Sequence, residues 1–205
     1  MKAAMLACLC VLFFSCAMVA PTYKVSISSD PVEGHEYIDL NPQRMAQINN
    51  VGDTVYTFRW SIGARRFKSP NRGSSYLLFV RYFGSDWFFI DDGESMIFNV
   101  DGEQIRLSGD GSRSNRDVFS GGTVIETAFY MTTYDKIERI VAGQMVYVKI
   151  VGSNQHATHI IPATVKSNIR RFLREHPPIN ADSLSIERKG AQPARRTHRP
   201  KKGSI

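Results

Sequence analysis

The chain has 205 residues and a net charge of +7, and this charge is distributed unevenly. Seven bases against Asp182 and Glu187 give residues 177–205 a charge of +5, and Lys2 adds one, so residues 21–176 carry only +1. The composition of this near-neutral part therefore reveals no basic face of the kind that nucleic-acid-binding proteins use. Its length of about 150 residues is typical of one domain with a single core.

The N-terminal residues predict export. Met1-Lys2 precedes an apolar run from Ala3 to Ala20, which is the pattern of a signal peptide covering residues 1–20. A retained membrane anchor is the competing interpretation, since the run is just long enough to span a bilayer. All three cysteines lie in this leader, so the mature domain has no disulfide and must be held together by its core. They are Cys8, Cys10 and Cys16.

The end of the leader contains a lipidation signal. Phe13-Phe14-Ser15-Cys16 resembles the bacterial lipoprotein motif, in which a Cys after a small residue becomes the acylated first residue of the mature chain; Phe13 stands where that motif usually has Leu. Ordinary cleavage after Ala20 is the alternative, but it would place Pro21 directly beyond the cut. We therefore predict acylation of Cys16, which would give the protein a stable membrane anchor.

The domain begins with one clear strand and one irregular segment. Residues 23–28 alternate apolar and polar side chains and predict an edge strand that ends at Asp30-Pro31. Residues 32–52 are polar, with a turn at Asn41-Pro42 and one helical turn near Met45. No sheet strand is predicted in this second segment.

A core strand and a basic loop are predicted next. In Thr54–Ile62, large apolar side chains recur at every second residue, namely Tyr56, Phe58, Trp60 and Ile62. Gly63–Ser75 contains Pro70, Gly73 and several serines and predicts a loop. Its bases either grip an anionic group, such as a phosphate or an acidic polysaccharide, or only keep the loop solvated. They are Arg65, Arg66, Lys68 and Arg72.

The stretch from Tyr76 to Tyr130 organises the predicted fold, because it reads as short strands separated by tight-turn signals. Asp92-Gly93 and Asp101-Gly102 stand where a hairpin needs positive φ, which Gly supplies and Asp tolerates. Strands joined by such turns pair antiparallel, so the pattern predicts a meander. Thr123–Thr132 completes it as a longer strand with alternating faces.

Two helices and two strands complete the domain. A threonine at position 132 or 133 caps a first helix that ends at Gly143 in a left-handed conformation. Met145–Val151 and His156–Ile161 predict strands, and Pro162 opens a second helix. The apolar stripe of that helix is Val165, Ile169, Phe172 and Leu173. The predicted fold class for residues 21–176 is mainly β or α+β, an antiparallel meander or β-sandwich-like sheet with two short helices packed on it.

Residues 177–205 predict a disordered basic tail, because Pro177-Pro178 stops the second helix and few apolar residues follow. The tail's charge favours an anionic membrane surface, another anionic envelope component or a protein partner. Nucleic acid is a poor candidate partner for an exported protein. The tail bases proposed for anion binding are Arg195, Arg196, Arg199, Lys201 and Lys202.

The sequence assembles no site for catalysis, a metal or a cofactor, and we predict none. His156 and His159 are three apart on a predicted strand, so they point to opposite faces. Glu126 alternates onto a mainly apolar strand face, where a buried carboxylate needs a partner such as Arg81 or Arg106.

The middle of the chain resembles a group of small uncharacterised bacterial lipoproteins with a sheet-rich domain. The resemblance spans Tyr76 to Phe172 and excludes the basic tail. It implies an envelope location and a sheet-rich fold, and it transfers no catalytic residue. The stretches that carry it are Asp86-Trp87-Phe88-Phe89, Asp92-Gly93-Glu94-Ser95, Val100-Asp101-Gly102-Glu103 and Gly121-Gly122-Thr123-Val124-Ile125-Glu126-Thr127-Ala128.

These features predict a non-enzymatic protein of a bacterial cell envelope, anchored in a membrane by lipid, with a binding or structural role. A secreted or periplasmic location is the alternative to the anchor. The alternative function is an envelope hydrolase acting on wall or glycan material, with Glu126 or Asp91 as its acid. That function needs a second carboxylate converging on the same cleft.

Overall fold

The computed structural model describes residues 22–48, 54–69, 73–119 and 121–179. Within these residues it contains ten strands and two helices, which confirms the mainly β fold with two helices. In chain order they are β1 (Val25–Asp30), β2 (His35–Ile48), β3 (Thr54–Ser69), β4 (Gly73–Gly84), β5 (Gly93–Val100), β6 (Glu103–Gly109), β7 (Arg116–Val118), β8 (Val124–Thr132), α1 (Tyr134–Ala142), β9 (Val146–Gly152), β10 (Gln155–Ile160) and α2 (Ala163–Glu175).

The strands form one antiparallel sheet that closes on itself. The order along it is β1-β2-β10-β9-β5-β6-β8-β4-β3, and β3 pairs again with β2. Two junctions are narrow in the described part of the chain, where the β10–β2 ladder pairs Ile160 with Ala46 and the β6–β8 ladder pairs Gly109 with Tyr130. The ring therefore consists of two sheets joined along two narrow seams, which fits the sandwich-like prediction. One sheet is β10-β9-β5-β6, and the other is β1-β2-β3-β4-β8-β7.

The predicted meander is wrong in its pairing. β4 pairs with β3 and β8, whereas β5 pairs with β6 and β9. The Asp101-Gly102 turn does join a hairpin, with φ of 51° and 97° at its two residues. The other Asp-Gly pair does not, although Gly93 also has a positive φ of 69°. Residues 85–92 instead lead from β4 to β5 without pairing those strands, and among them Ile90 forms an isolated bridge to Gly152.

The irregular segment predicted for residues 32–52 is also wrong, because most of it is β2. Pro42 interrupts β2 without ending it, since the register against β3 shifts between Leu40 and Gln43. Proline is tolerated at such a bulge, where its missing N–H is not needed by the ladder. The preceding residue, Asn41, donates its N–H to the Lys24 carbonyl oxygen at 2.9 Å.

The basic loop predicted for Gly63–Ser75 is wrong too, because β3 continues to Ser69 and β4 begins at Gly73. Gly63 does not stop the strand. A Cβ atom there would overlap the Phe79 ring, so glycine allows the neighbouring strand to lay a phenyl ring across it. Within the predicted core strand, Trp60 and Ile62 are buried, and the side chains of Tyr56 and Phe58 lie outside the described part of the chain.

Helix α1 begins as predicted and ends differently. The Thr133 Oγ1 atom accepts the Lys136 N–H at 3.2 Å, which caps the first turn. Gly143 follows the helix with φ of −58°, so the predicted left-handed stop is wrong. Glycine is required there for space, since a Cβ atom would overlap the Val100 side chain.

Helix α2 packs on β2, β3 and α1, and two of its basic side chains donate to carbonyl groups at the C-terminal end of α1. Lys166 Nζ donates to the Gly143 carbonyl oxygen at 2.7 Å, and Arg170 Nη2 donates to that of Val141 at 2.6 Å. Cations are favourable at this end of a helix, where carbonyl groups lack partners. The stripe predicted for α2 is buried in full: Val165, Ile169, Phe172 and Leu173.

The core fills the space between the two sheets and the helices. It is mainly apolar, and its largest fully buried side chains include Tyr130, Phe98, Phe172, Leu40, Met45, Ile62 and Leu78. Three acidic or basic side chains of the described residues are also nearly inaccessible, with exposures of 6% for Arg66, 0% for Glu126 and 1% for His159. Burying such groups is costly unless each has a partner, so these positions concentrate the chemistry of the fold.

Candidate functional site

Glu126 is enclosed by donors from the segment that follows β4. Its Oε1 accepts the N–H groups of Phe88 and, at 2.9 Å, Phe89, and its Oε2 accepts that of Ile90 at 3.1 Å. The Ser112 hydroxyl donates to the same carboxylate at 2.5 Å. Three successive backbone N–H groups form an anion nest, and the positive φ of 55° at Phe89 allows them to converge. This carboxylate is held by the fold itself.

The predicted burial of Glu126 is confirmed, but the predicted cation is wrong. Its ion pair is with Arg116 of β7, whose Nε lies 3.8 Å from Oε2, and not with Arg81 or Arg106. The Arg116 guanidinium also stacks over the Phe89 ring, 4.7 Å from its centroid. With no exposed surface and its oxygen atoms occupied, Glu126 fits a structural role better than that of a general acid.

An open groove of about 470 Å³ lies beside this nest. Arg81 and Arg116 contribute guanidinium groups to it, and half-buried apolar side chains form part of its lining. Arg81 Nε donates to the Thr127 hydroxyl at 3.4 Å, and Arg116 Nε donates to that of Ser112 at 3.2 Å. Two fixed cations beside an apolar surface suit an anionic ligand with an apolar part. We call this the β8 groove; its lining residues are Arg81, Asn115, Arg116, Asp117, Ile125, Thr127 and Phe129.

The predicted anion-binding bases are separated by the strand that contains them. Arg65 points to the outer face of β3, where its Nε and Nη2 atoms reach the two Asp39 oxygens at 2.5 and 2.7 Å. Arg66 points to the inner face and is buried, and Lys68 lies half-buried two residues further along. Arg72, the tail bases and Cys16 lie outside the described residues. Arg65 and Arg66 therefore point to opposite faces of β3 and do not approach one ligand together, and anion binding by the other predicted bases stays a prediction.

The surroundings of Arg66 are aromatic and partly desolvated. The Tyr76 hydroxyl, on the neighbouring strand, donates to the His176 carbonyl oxygen at 2.6 Å. Burial raises the pKa of Tyr76 to about 12, and the Arg66 charge acts against this rise. Burial also lowers the pKa of His176, and Arg66 adds to this lowering. The positive charge of Arg66 thus influences the pKa of both neighbours.

His159 is buried, and neither of its ring nitrogens has a hydrogen-bond partner among the described residues. Its ring lies 5.5 Å from Trp60, which also contacts Tyr82 at 4.8 Å and Phe88 at 4.7 Å between centroids. Burial lowers the pKa of His159 to about 4, so the imidazole is neutral at pH 7. His156 is exposed on the opposite face of β10, as predicted, and no group of metal-binding side chains occurs among the described residues.

Comparisons of this chain with protein-family models, with curated protein sequences and with solved structures found no match. The resemblance to small bacterial lipoproteins therefore stays a prediction. Neither described helix has the length and apolar character that crossing a membrane requires.

The buried position of Arg66 had a signal in the sequence. Trp60, Ile62, Ala64 and Arg66 follow one another at every second residue, which is the period of one strand face. The density of charge and glycine after Ile62 obscured this pattern. The nest around Glu126 had no such signal, because its donors are backbone N–H groups whose approach depends on tertiary structure.

Proposed function

We propose that this chain is an exported protein of a bacterial cell envelope, anchored by lipid at Cys16, whose folded domain binds an anionic envelope component and performs no catalysis. The leader and the basic tail support the location. The observation that carries the binding role is the β8 groove, where Arg81 and Arg116 line one open depression beside apolar side chains.

The groove is organised before any ligand arrives. Arg116 is held by Ser112, by the Phe89 ring and by the Glu126 carboxylate, so its position is fixed by the same nest that fixes residues 88–90. Guanidinium groups held in this way lose little conformational freedom when they bind, and they favour carboxylate, sulfate or phosphate groups. Glu126 already pairs with Arg116, so the positive charge that the groove offers to a ligand comes mainly from Arg81, and Asp117 is the carboxylate within the lining.

The ligand class follows from this lining. The half-buried Ile125 and Phe129 side chains offer apolar contact next to the cations. An acidic polysaccharide or an acidic protein segment supplies anionic groups together with less polar surface. Because the groove is open, it suits an extended chain better than an enclosed small molecule.

The test compares two charge-removing variants, Arg81→Gln in the groove and Arg174→Gln on the exposed side of α2. With dextran sulfate as the probe and neutral dextran as the reference, Arg81→Gln should weaken binding roughly threefold to tenfold. Arg174→Gln removes the same charge and keeps the same tail, so it should bind like the parent. Equal weakening by both variants would reduce the effect to overall charge and end the proposal for the groove.

The anchor is tested separately. Intact-mass analysis of the mature protein should show acyl chains on Cys16, and Cys16→Ser should move the protein from the membrane to the soluble fraction. A mature chain that begins at Pro21 without lipid would contradict the anchor and leave the groove experiment valid.

A further inference from the structure

Arg66 is a buried cation with unused hydrogen-bond donors. It lies on the inner face of β3, opposite Ile38 of β2 and Tyr76 of β4, with only 6% of its surface exposed. Its Nε and Nη2 atoms have no acceptor among the described residues. None of the ion pairs between described residues includes Arg66.

Arg65, the neighbouring residue, shows how the Nε and Nη2 atoms of a guanidinium group can both be hydrogen-bonded. In Arg65 the same two atoms, Nε and Nη2, each donate to one oxygen of Asp39, at 2.5 and 2.7 Å. These atoms lie side by side, so they match the two oxygens of one carboxylate. The Nε and Nη2 atoms of Arg66 point to the interior, and neither has an acceptor in the described part of the chain.

An arginine cannot relieve its burial by losing a proton, because the guanidinium group is not deprotonated in proteins. Leaving two of its donors without acceptors in the interior is costly. We propose that Arg66 is the binding site for one carboxylate group, held side-on by Nε and Nη2. Tyr76 does not compete for the ligand, since its hydroxyl already donates to the His176 carbonyl oxygen.

The carboxylate has two possible sources. Ile179 donates its N–H to the Ser74 hydroxyl at 2.8 Å, which brings the end of the described chain to the start of β4, two residues from Tyr76. Asp182 follows three residues later, and three extended residues span up to about 10 Å. The other source is the carboxylate of a separate molecule.

The experiment measures the Tm of the purified full chain in sodium acetate, sodium phosphate and sodium chloride at equal ionic strength. With a separate ligand as the source, acetate should raise the Tm by about 3 to 6 °C at tenfold excess over its Kd. Arg66→Met should abolish this rise, and Arg66→Lys, which keeps the charge without the paired donors, should lose most of it. A buried cation replaced by an apolar side chain of similar size usually leaves the protein folded.

With Asp182 as the source, acetate should have little effect, and Asp182→Asn should lower the Tm of the parent but not of Arg66→Met. Such coupling between the two substitutions identifies the pair. The proposal is overturned if acetate raises the Tm of Arg66→Met as much as that of the parent. It is also overturned if neither the effect of acetate on the Tm nor that of Asp182→Asn depends on Arg66. A rise in phosphate without one in acetate would overturn the carboxylate assignment.

Discussion

Glu126, His159 and Arg66, the three buried acidic or basic residues of the described chain, solve the same physical problem in different ways. Glu126 is surrounded by donors, so the cost of burying its carboxyl group is offset by hydrogen bonds and by Arg116. His159 avoids the cost by staying neutral. Arg66 can do neither with the described residues alone, since it keeps its charge and lacks acceptors. This difference singles out Arg66 as the residue with an open requirement.

His159 should make the protein less stable in mild acid. The unfolded chain takes up a proton on this imidazole near pH 6.5, whereas the folded protein does so only near pH 4. Lowering the pH through this window therefore favours the unfolded chain by roughly 3 kcal/mol, and the loss stops below pH 4, where both states are protonated. Urea unfolding between pH 7 and pH 4 should show this loss for the parent.

The matched variants are His159→Leu, which removes the buried imidazole, and His156→Gln at an exposed position of the same strand. We expect the first to flatten the pH dependence and the second to preserve it. A parent and a His159→Leu variant with equal pH dependence would show that this imidazole is not the source of the acid sensitivity.

At the scale of single residues the sequence predicted which side chains share a face of a strand, because alternation is local. Val124, Glu126, Ala128 and Tyr130 share one face of β8, and the structure shows that this face is the buried one. The partner of Glu126 could not be predicted, since β7 is only three residues long and its place beside β8 depends on the whole sheet. The period of a strand indicates which residues share a face, whereas it does not indicate which distant residues become their partners.

At the scale of elements, the strands predicted from alternation alone were the most accurate. β8, β9, β10 and both helices lie within two residues of their predicted bounds. The failures occurred where Pro42, Gly63 and a cluster of bases suggested breaks. Pro42 and Gly63 both lie inside strands for a local reason. Pro42 forms part of a bulge, and Gly63 leaves room for the Phe79 ring.

Substitution of Gly109 should destabilise the seam between β6 and β8. Gly109 forms the one described residue pair of that seam, with Tyr130, and a Cβ atom there would overlap the Phe129 carbonyl oxygen. We expect Gly109→Ala to lower the free energy of unfolding by roughly 1 to 3 kcal/mol, measured by urea denaturation. Ser108→Ala, an exposed substitution on the same strand, is the control. Similar stability of the two variants would mean that the seam adjusts without cost.

For the whole molecule, the charge is divided between a near-neutral domain and a basic tail, and this division makes a prediction about membranes. Removing residues 180–205 eliminates the seven tail bases while keeping the contacts that Tyr76 makes with His176 and Ser74 makes with Ile179. Each base close to an anionic surface contributes about 1 kcal/mol, and salt screens this attraction.

The shortened chain should therefore bind less to vesicles that contain phosphatidylglycerol, at low salt, than the full chain does. Vesicles of phosphatidylcholine alone serve as the neutral reference. Cosedimentation gives the bound fraction directly. Equal retention of the two chains on the anionic vesicles would remove the tail from any role at the membrane.

The closed order of the strands could not be predicted, because it depends on pairings between distant parts of the chain. β2 is among the first strands of the described chain and β10 is the last, yet they meet at Ala46 and Ile160. Bringing such distant residues together carries a large loss of chain entropy, which slows folding. A nascent or translocating chain lacks β10 until almost the whole domain is available, so the ring can be completed only at the end. If the chain is exported as proposed, this last step falls after translocation, and the chain crosses the membrane before its interior is closed.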